Sequence, residues 1–81
     1  MEIRLDELID ILKNLHSDVD YENCTALIDD KILDSFDLIT MIADIHEKFD
    51  VIIPADEIIA QNFNSAKSIY SLIERLLDDE E

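Results

Sequence analysis

The run Leu33-Asp34-Ser35-Phe36-Asp37-Leu38 sets one small hydroxyl between two carboxylates where a helix is due to begin. In the plainest reading Asp34 or Ser35 is an N-cap, whose side-chain oxygen accepts backbone N–H groups of the first turn and contributes about 1 kcal/mol. In the chemical reading Ser35 is a small side chain beyond the packed part of that helix, with a hydroxyl open to a reacting group. Other reactive side chains are less well placed. Cys24 is the single cysteine, so no internal disulfide and no metal-ligand cysteine spacing can form, and its segment offers no basic partner to activate a thiol. His16 and His46 stand 30 residues apart without companions at ligand spacing, as surface or boundary histidines do. Asp18, Asp20, Glu22 and Asp29 fall near calcium-loop positions, but Asn23 replaces the Gly and Asp29 the bidentate Glu that such a loop needs.

Composition narrows the function classes. A chain of 81 residues holds one domain, residues 1–81, with one modest core. Apolar residues make up 48%, enough to fold rather than stay disordered. The absence of Gly removes every Gly-rich phosphate loop and suits an all-helical chain that seldom needs positive φ. Six basic residues against 21 acidic ones give a net charge of −15. That surface repels nucleic-acid phosphates and anionic lipid heads, attracts proteins with basic patches, and is eased by added salt. Met1-Glu2-Ile3-Arg4-Leu5 lacks the basic start and long apolar run of a signal peptide, and apolar runs of three residues such as Val51-Ile52-Ile53 exclude membrane insertion. A cytoplasmic monomer is the expected state.

The elements around Ser35 follow from apolar spacing. Ile3, Leu5, Leu8, Ile9, Ile11, Leu12 and Leu15 predict an amphipathic helix over residues 2–15. Residues 16–34 form a long connection of the kind that is usually functional or conceals a short element, tied over the core by Ala26, Leu27, Ile28, Ile32 and Leu33. A second helix runs over residues 35–49, with Phe36, Ile39, Ile42, Ala43, Ile45, His46 and Phe49 on its inner face and Asp37, Thr40, Asp44, Glu47 and Lys48 mostly outside. Pro54 separates Val51-Ile52-Ile53 from the next element. Residues 55–60 are expected as a short third helix. Asn64 or Ser65 caps a last helix through Leu77 with Ile69, Leu72, Ile73 and Leu76 inward, and residues 78–81 make a frayed acidic tail.

Three of these marks, in order, resemble acyl and peptidyl carrier proteins. In that family an Asp-Ser pair followed by an apolar residue opens the second helix, as Asp34-Ser35-Phe36 does here. Phe49-Asp50-Val51-Ile52-Ile53-Pro54 looks like the family's segment after that helix, and Phe63-Asn64-Ser65-Ala66 like its entry to the last one, where Thr more often stands at the Ser65 position. The resemblance covers most of the chain. It implies an all-α, acyl-carrier-like bundle of three main helices plus one short helix. It also implies a covalent 4'-phosphopantetheine on Ser35, transferred from coenzyme A with Mg²⁺ by a phosphopantetheinyl transferase. The protein would then be a non-catalytic carrier of acyl or aminoacyl thioesters.

Departures from the family pattern bear on the finer reading. Fatty-acid-synthesis carriers usually show Gly before the Asp-Ser pair, where this chain has Lys31-Ile32-Leu33; the Leu-Asp-Ser run resembles D-alanyl carriers and stand-alone amino-acid or specialised acyl carriers. Of the acids used for docking on the second helix, Asp37 and Glu47 match, Thr40 and His46 replace others, and Asp44 adds a charge. The implied partner-binding set is Asp34, Phe36, Asp37, Asp44 and Glu47. The implied partners are the transferase, an acyl- or aminoacyl-ligase, and a downstream synthase or transferase with basic patches. Cargo is expected between helices two and three, near Ile39, Ile42, Ile58, Ile59 and Phe63. The alternative is a small acidic helical interaction domain, unmodified, in which Ser35 only caps.

Overall fold

The computed structural model describes residues 4–79, without the side chain of Asp79. The described residues are all-α: α1 (Leu5–Leu15), α2 (Ser35–Phe49), α3 (Ala60–Phe63) and α4 (Ala66–Asp79), with a 3-10 turn at Ala55–Glu57. No helix among them is long and apolar enough to cross a membrane. Helix α1 packs against α2 and α4, and α3 against α4. Residues 2 and 3 of the expected first helix lie outside the described residues.

Helix α1 turns Leu8, Ile9, Ile11 and Leu12 into the core; Asp6 and Glu7 in its first turn and Lys13 in its last complement its dipole. Helix α2 has the predicted bounds and part of the predicted inner face: Ile42, Ile45 and Phe49 face the core, but Phe36, Ile39, Ala43 and His46 do not. Its buried residues are Met41, Ile45 and Phe49, with Leu38 and Ile42 half-buried against the same core. Phe36 and Ile39 are 77% and 68% exposed, and Ala43 and His46 are also outside. At 100° per residue, Leu38, Met41, Ile42, Ile45 and Phe49 make one stripe and Phe36, Ile39 and Ala43 a second, centred about 140° round the helix from the first. The first stripe is longer and buries more apolar surface, so it takes the core.

The short third helix is displaced. Residues 55–57 close only a 3-10 turn, through Glu57 N–H to Pro54 O and Ile58 N–H to Ala55 O. Ile59 is extended at φ −127°, and α3 begins at Ala60. Two β-branched residues in succession disfavour continuing the turn. The Asn62 side-chain amide donates to Glu57 O at 2.8 Å, and Arg75 pairs with Glu57 at 2.7 Å, which fixes the corner against α4. Helix α4 is capped by Ser65, whose Oγ accepts Ser68 N–H while Ser68 Oγ accepts Ser65 N–H. Its buried residues include Ile69, Leu72 and Ile73, with Leu76 half-buried. It runs through Asp78 and Asp79, so the tail is helical two residues further than expected; Glu80 and Glu81 lie outside the described residues.

The connection 16–34 contains no helix. It is a chain of turns held by buried Tyr21, Leu27 and Leu33 and by half-buried Cys24, Ile28 and Ile32. Among the described residues of this Gly-free chain, two have positive φ: Lys31 at 59°, in the turn where Leu33 N–H reaches Leu27 O, and Asp50 at 56°, ending α2.

Candidate functional site at the start of α2

Ser35 is the first residue of α2 and is exposed. The cap before it is Asp34, in extended backbone at φ −95°. Asp34 Oδ1 accepts the Asp37 N–H at 2.8 Å, and Asp37 Oδ2 accepts the Asp34 N–H at 3.3 Å. This reciprocal box explains why the helix begins where it does. Neither bond uses the Ser35 hydroxyl. The first intrahelical bond is Leu38 N–H to Asp34 O, so the amides of Ser35 and Phe36 point out of the helix end, where the backbone dipole favours an anion.

A longer-range contact completes the cap. His16 Nε2 donates to Asp37 Oδ2 at 2.7 Å across 21 residues of sequence. Asp37 is therefore only 19% exposed at its side chain, with His16 at 39%. The His16 hydrogen bond, against a smaller cost of burial, holds the Asp37 carboxyl below its ordinary 3.8; the Asp34 bonds and the charge of His16 add to the effect. The same bond lifts His16 above its ordinary 6.5, opposed by desolvation and aided by the charges of Asp37, Asp18 and Asp34. The His16 main chain is itself clamped. Its N–H donates to Leu12 O at 3.1 Å, and Tyr21 O–H lies 2.7 Å from His16 O and 2.9 Å from Leu12 O. Burial, first, and the charge of Asp18 push the Tyr21 hydroxyl's pKa up, so it stays a donor.

The loop before Ser35 is pinned at its other end by Asn64. Its Oδ1 accepts Ile28 N–H at 2.9 Å and Asp29 N–H at 3.0 Å, its Nδ2 donates to Asp29 Oδ2 at 3.2 Å, and its carbonyl accepts Leu27 N–H at 2.8 Å. Asn64 thus ties the loop to the α3–α4 corner, while Ser65 does the capping.

Four of the residues singled out in the sequence, Asp34, Ser35, Phe36 and Asp37, share the start of α2. Asp34, Ser35 and Phe36 are exposed, whereas Asp37 is half-buried and engaged by His16. Asp44 and Glu47 lie about 14 and 18 Å further along the helix at 1.5 Å per residue. They border a shallow groove of about 430 Å³ with Ile11, Asn14 and Lys48, a separate surface from the Ser35 end. Of the residues expected near cargo, Phe63 is fully buried in the core, Ile42 is half-buried, and Ile39, Ile58 and Ile59 are exposed. A second depression, of about 480 Å³, opens elsewhere, between Leu5, Ile9, Tyr21 and Ala66. Asp20 engages Asn23 in a local turn at 2.8 Å, and among the described residues no three metal-ligating side chains gather.

Sequence reasoning places His16 as a boundary residue and Asn64 as a possible cap, and misses what each does. Both act across long separations that leave no local periodicity. No protein-family model matches this chain, and a search of curated proteins finds no match either.

Proposed function

We propose that this protein is a carrier whose Ser35 bears a covalent 4'-phosphopantetheine and which hands acyl or aminoacyl groups between partner enzymes. The observation that carries the reading is an exposed serine at the first position of α2, with its hydroxyl outside the capping bonds that fix the backbone beneath it. In the transfer, the Ser35 oxygen forms a bond to the phosphorus of coenzyme A's pantetheine half as the pyrophosphate link breaks. The nucleotide half leaves, and the hydroxyl proton passes to a base of the transferase. When bound, the prosthetic arm supplies the thiol that holds cargo as a thioester.

The chain's own residues present the serine and recognise partners. The outward amides of the first turn favour the phosphodiester charge, while Asp34 and Asp37 oppose it. Those acids therefore fit partner recognition and backbone positioning better than direct phosphate binding. Phe36 offers an apolar contact beside the serine, and Asp44 and Glu47 offer charge further along α2. A net charge of −15 speeds encounter with basic partners without demanding tight binding, which suits a component that must release each enzyme in turn.

The test is intact mass after incubation with coenzyme A, Mg²⁺ and a broad-specificity transferase. One phosphopantetheine per chain is expected, absent in Ser35→Ala of unchanged helicity. A folded wild-type chain of unaltered mass overturns the proposal and leaves the unmodified interaction domain.

A further inference from the structure

We propose that His16 is a positioning residue for the modification of Ser35, acting through Asp37 to hold the start of α2 and to reduce the negative charge that meets an incoming phosphate. The inference rests on the carrier reading and deepens it.

The geometry is a short relay. One ring nitrogen of His16 meets Asp37 Oδ2 at 2.7 Å, and that oxygen is also the acceptor for the Asp34 amide at 3.3 Å. Asp34 in turn takes the Asp37 amide at 2.8 Å. Ser35 sits between the two residues of this box, so holding Asp37 holds the backbone on both sides of the hydroxyl. His16 is fit to do the holding because its own main chain is fastened to Leu12 and Tyr21 rather than drifting with the loop.

Charge gives His16 a second effect. Asp34 and Asp37 face it from the start of α2 and Asp18 from the loop, while the Tyr21 hydroxyl, itself near Cys24, bonds the main-chain carbonyl of His16. With the imidazole charged, the trio of His16, Asp34 and Asp37 carries −1; with it neutral, −2. A pyrophosphate approaching Ser35 meets less repulsion in the first state. The carboxylates around the ring hold it in that state above its ordinary 6.5. Charge next to a helix N-terminus corresponds to a rate ratio of about two- to fivefold, shrinking with added salt.

Two variants separate holding from charge. His16→Gln keeps a side-chain N–H donor without the charge, and His16→Ala removes both. Wild type and His16→Gln are mixed in equal amounts with coenzyme A, Mg²⁺ and one transferase, and both products are followed by intact mass from about pH 5.5 to about pH 8.5. Sharing one tube cancels the pH response of the transferase. Wild type is expected to be modified about two to five times faster at the acid end, with the ratio falling towards one as His16 loses its proton. His16→Ala, in the same mixture, stays slowest throughout. Nuclear magnetic resonance of the His16 ring gives a readout independent of rate: its pKa rises further once Ser35 is modified, because coupling is reciprocal, and Asp37→Asn returns it towards 6.5. Equal rates for all three proteins across the range, with all of them modified, overturn the role of His16 and leave the carrier reading standing. Failure of wild type to be modified at any pH overturns the carrier reading and this inference with it.

Discussion

Replacing Asn64 by Ala tests whether the loop before Ser35 is held by polar bonds rather than by its own turns. The substitution deletes the acceptor of two amides, at 2.9 and 3.0 Å, and one donor to Asp29, and spares the main-chain bond from Leu27 to residue 64. Ile28 is half-buried, so its orphaned N–H costs about 1–2 kcal/mol; Asp29 is exposed, water replaces its partner, and the loss is about 0.5 kcal/mol. The sum is about 2 kcal/mol, a large part of the roughly 4–12 kcal/mol open to a domain of this size. In urea, with a slope of about 1 kcal/mol per molar, the midpoint falls by about 1.5–2.5 M at unchanged slope. Asn64→Asp separates the contributions: it keeps the acceptor for both amides but sets a carboxylate against that of Asp29, for a smaller loss of about 0.5–1 kcal/mol that salt relieves. Hydrogen exchange then locates the damage, with the amides of Leu27, Ile28 and Asp29 exchanging faster in the Ala variant before those of α1. A loss below about 0.5 kcal/mol for Asn64→Ala, or equal losses for Ala and Asp, refutes the idea that this side chain anchors the loop.

Tyr21→Phe keeps the buried ring but removes the hydroxyl from Leu12 O and His16 O; Leu12 O retains the His16 N–H, so the loss is about 1 kcal/mol, read as a melting temperature about 4–8 °C lower. Asp50→Gly relieves the left-handed end of α2 and gains about 0.5–1 kcal/mol, whereas Asp50→Ala loses stability; equal melting temperatures for the two contradict the backbone argument. The His16–Asp37 contact gives a stability difference between wild type and His16→Gln that depends on pH. Because His16 is raised, its share is complete below 6.5 and lost as pH rises through its folded value; because Asp37 is lowered, its share is complete above 3.8 and lost as pH falls through its folded value. Unfolding curves should differ most between those two values, and a difference independent of pH sinks the claim. Finally, the net charge of −15 predicts a melting temperature that climbs from low to moderate salt, and a flat response argues against self-repulsion.

The parts of the fold that are legible in the sequence are those with local signals. Asp34 before an apolar run, with Asp37 three residues on, marks the start of α2; Ser65 marks that of α4, and Pro54 marks a break. The inner face of α2 is legible only in its second half, at Ile42, Ile45 and Phe49, because Phe36, Ile39 and Ala43 repeat at helical spacing just as Leu38, Met41 and Ile45 do. Periodicity finds stripes but does not say which one meets the core. The short helix is expected too early because Ala55, Asp56 and Glu57 favour a helix start, while the Ile58-Ile59 pair that stops it looks like core. The candidate site divides in the same way. Ser35 and its cap stand in one hexapeptide, whereas His16, Tyr21 and Asn64 reach their partners through folding alone.

These anchors also account for how a small core can hold a site on its surface. Leu33 and Leu38, on either side of the serine, pack on the core, while Phe36 and Ile39 point outward, so burial fastens the first turn of α2 from one side alone. Polar bonds add to the burial of Leu27 and Leu33: Tyr21 binds the connection to the end of α1, His16 ties its start to Asp37 of α2, and Asn64 binds it to the α3–α4 corner. The bonds of His16 to Asp37, Tyr21 to His16 O and Asn64 to Ile28 are partly open to water, so the arrangement locates the backbone without burying the hydroxyl. A stronger apolar clamp would require Phe36 to turn inward and would withdraw the surface beside Ser35 from solvent. Exposure of the serine and rigidity of its neighbours are therefore met by different residues, and loosening any one anchor is expected to degrade presentation of the hydroxyl before it unfolds the bundle.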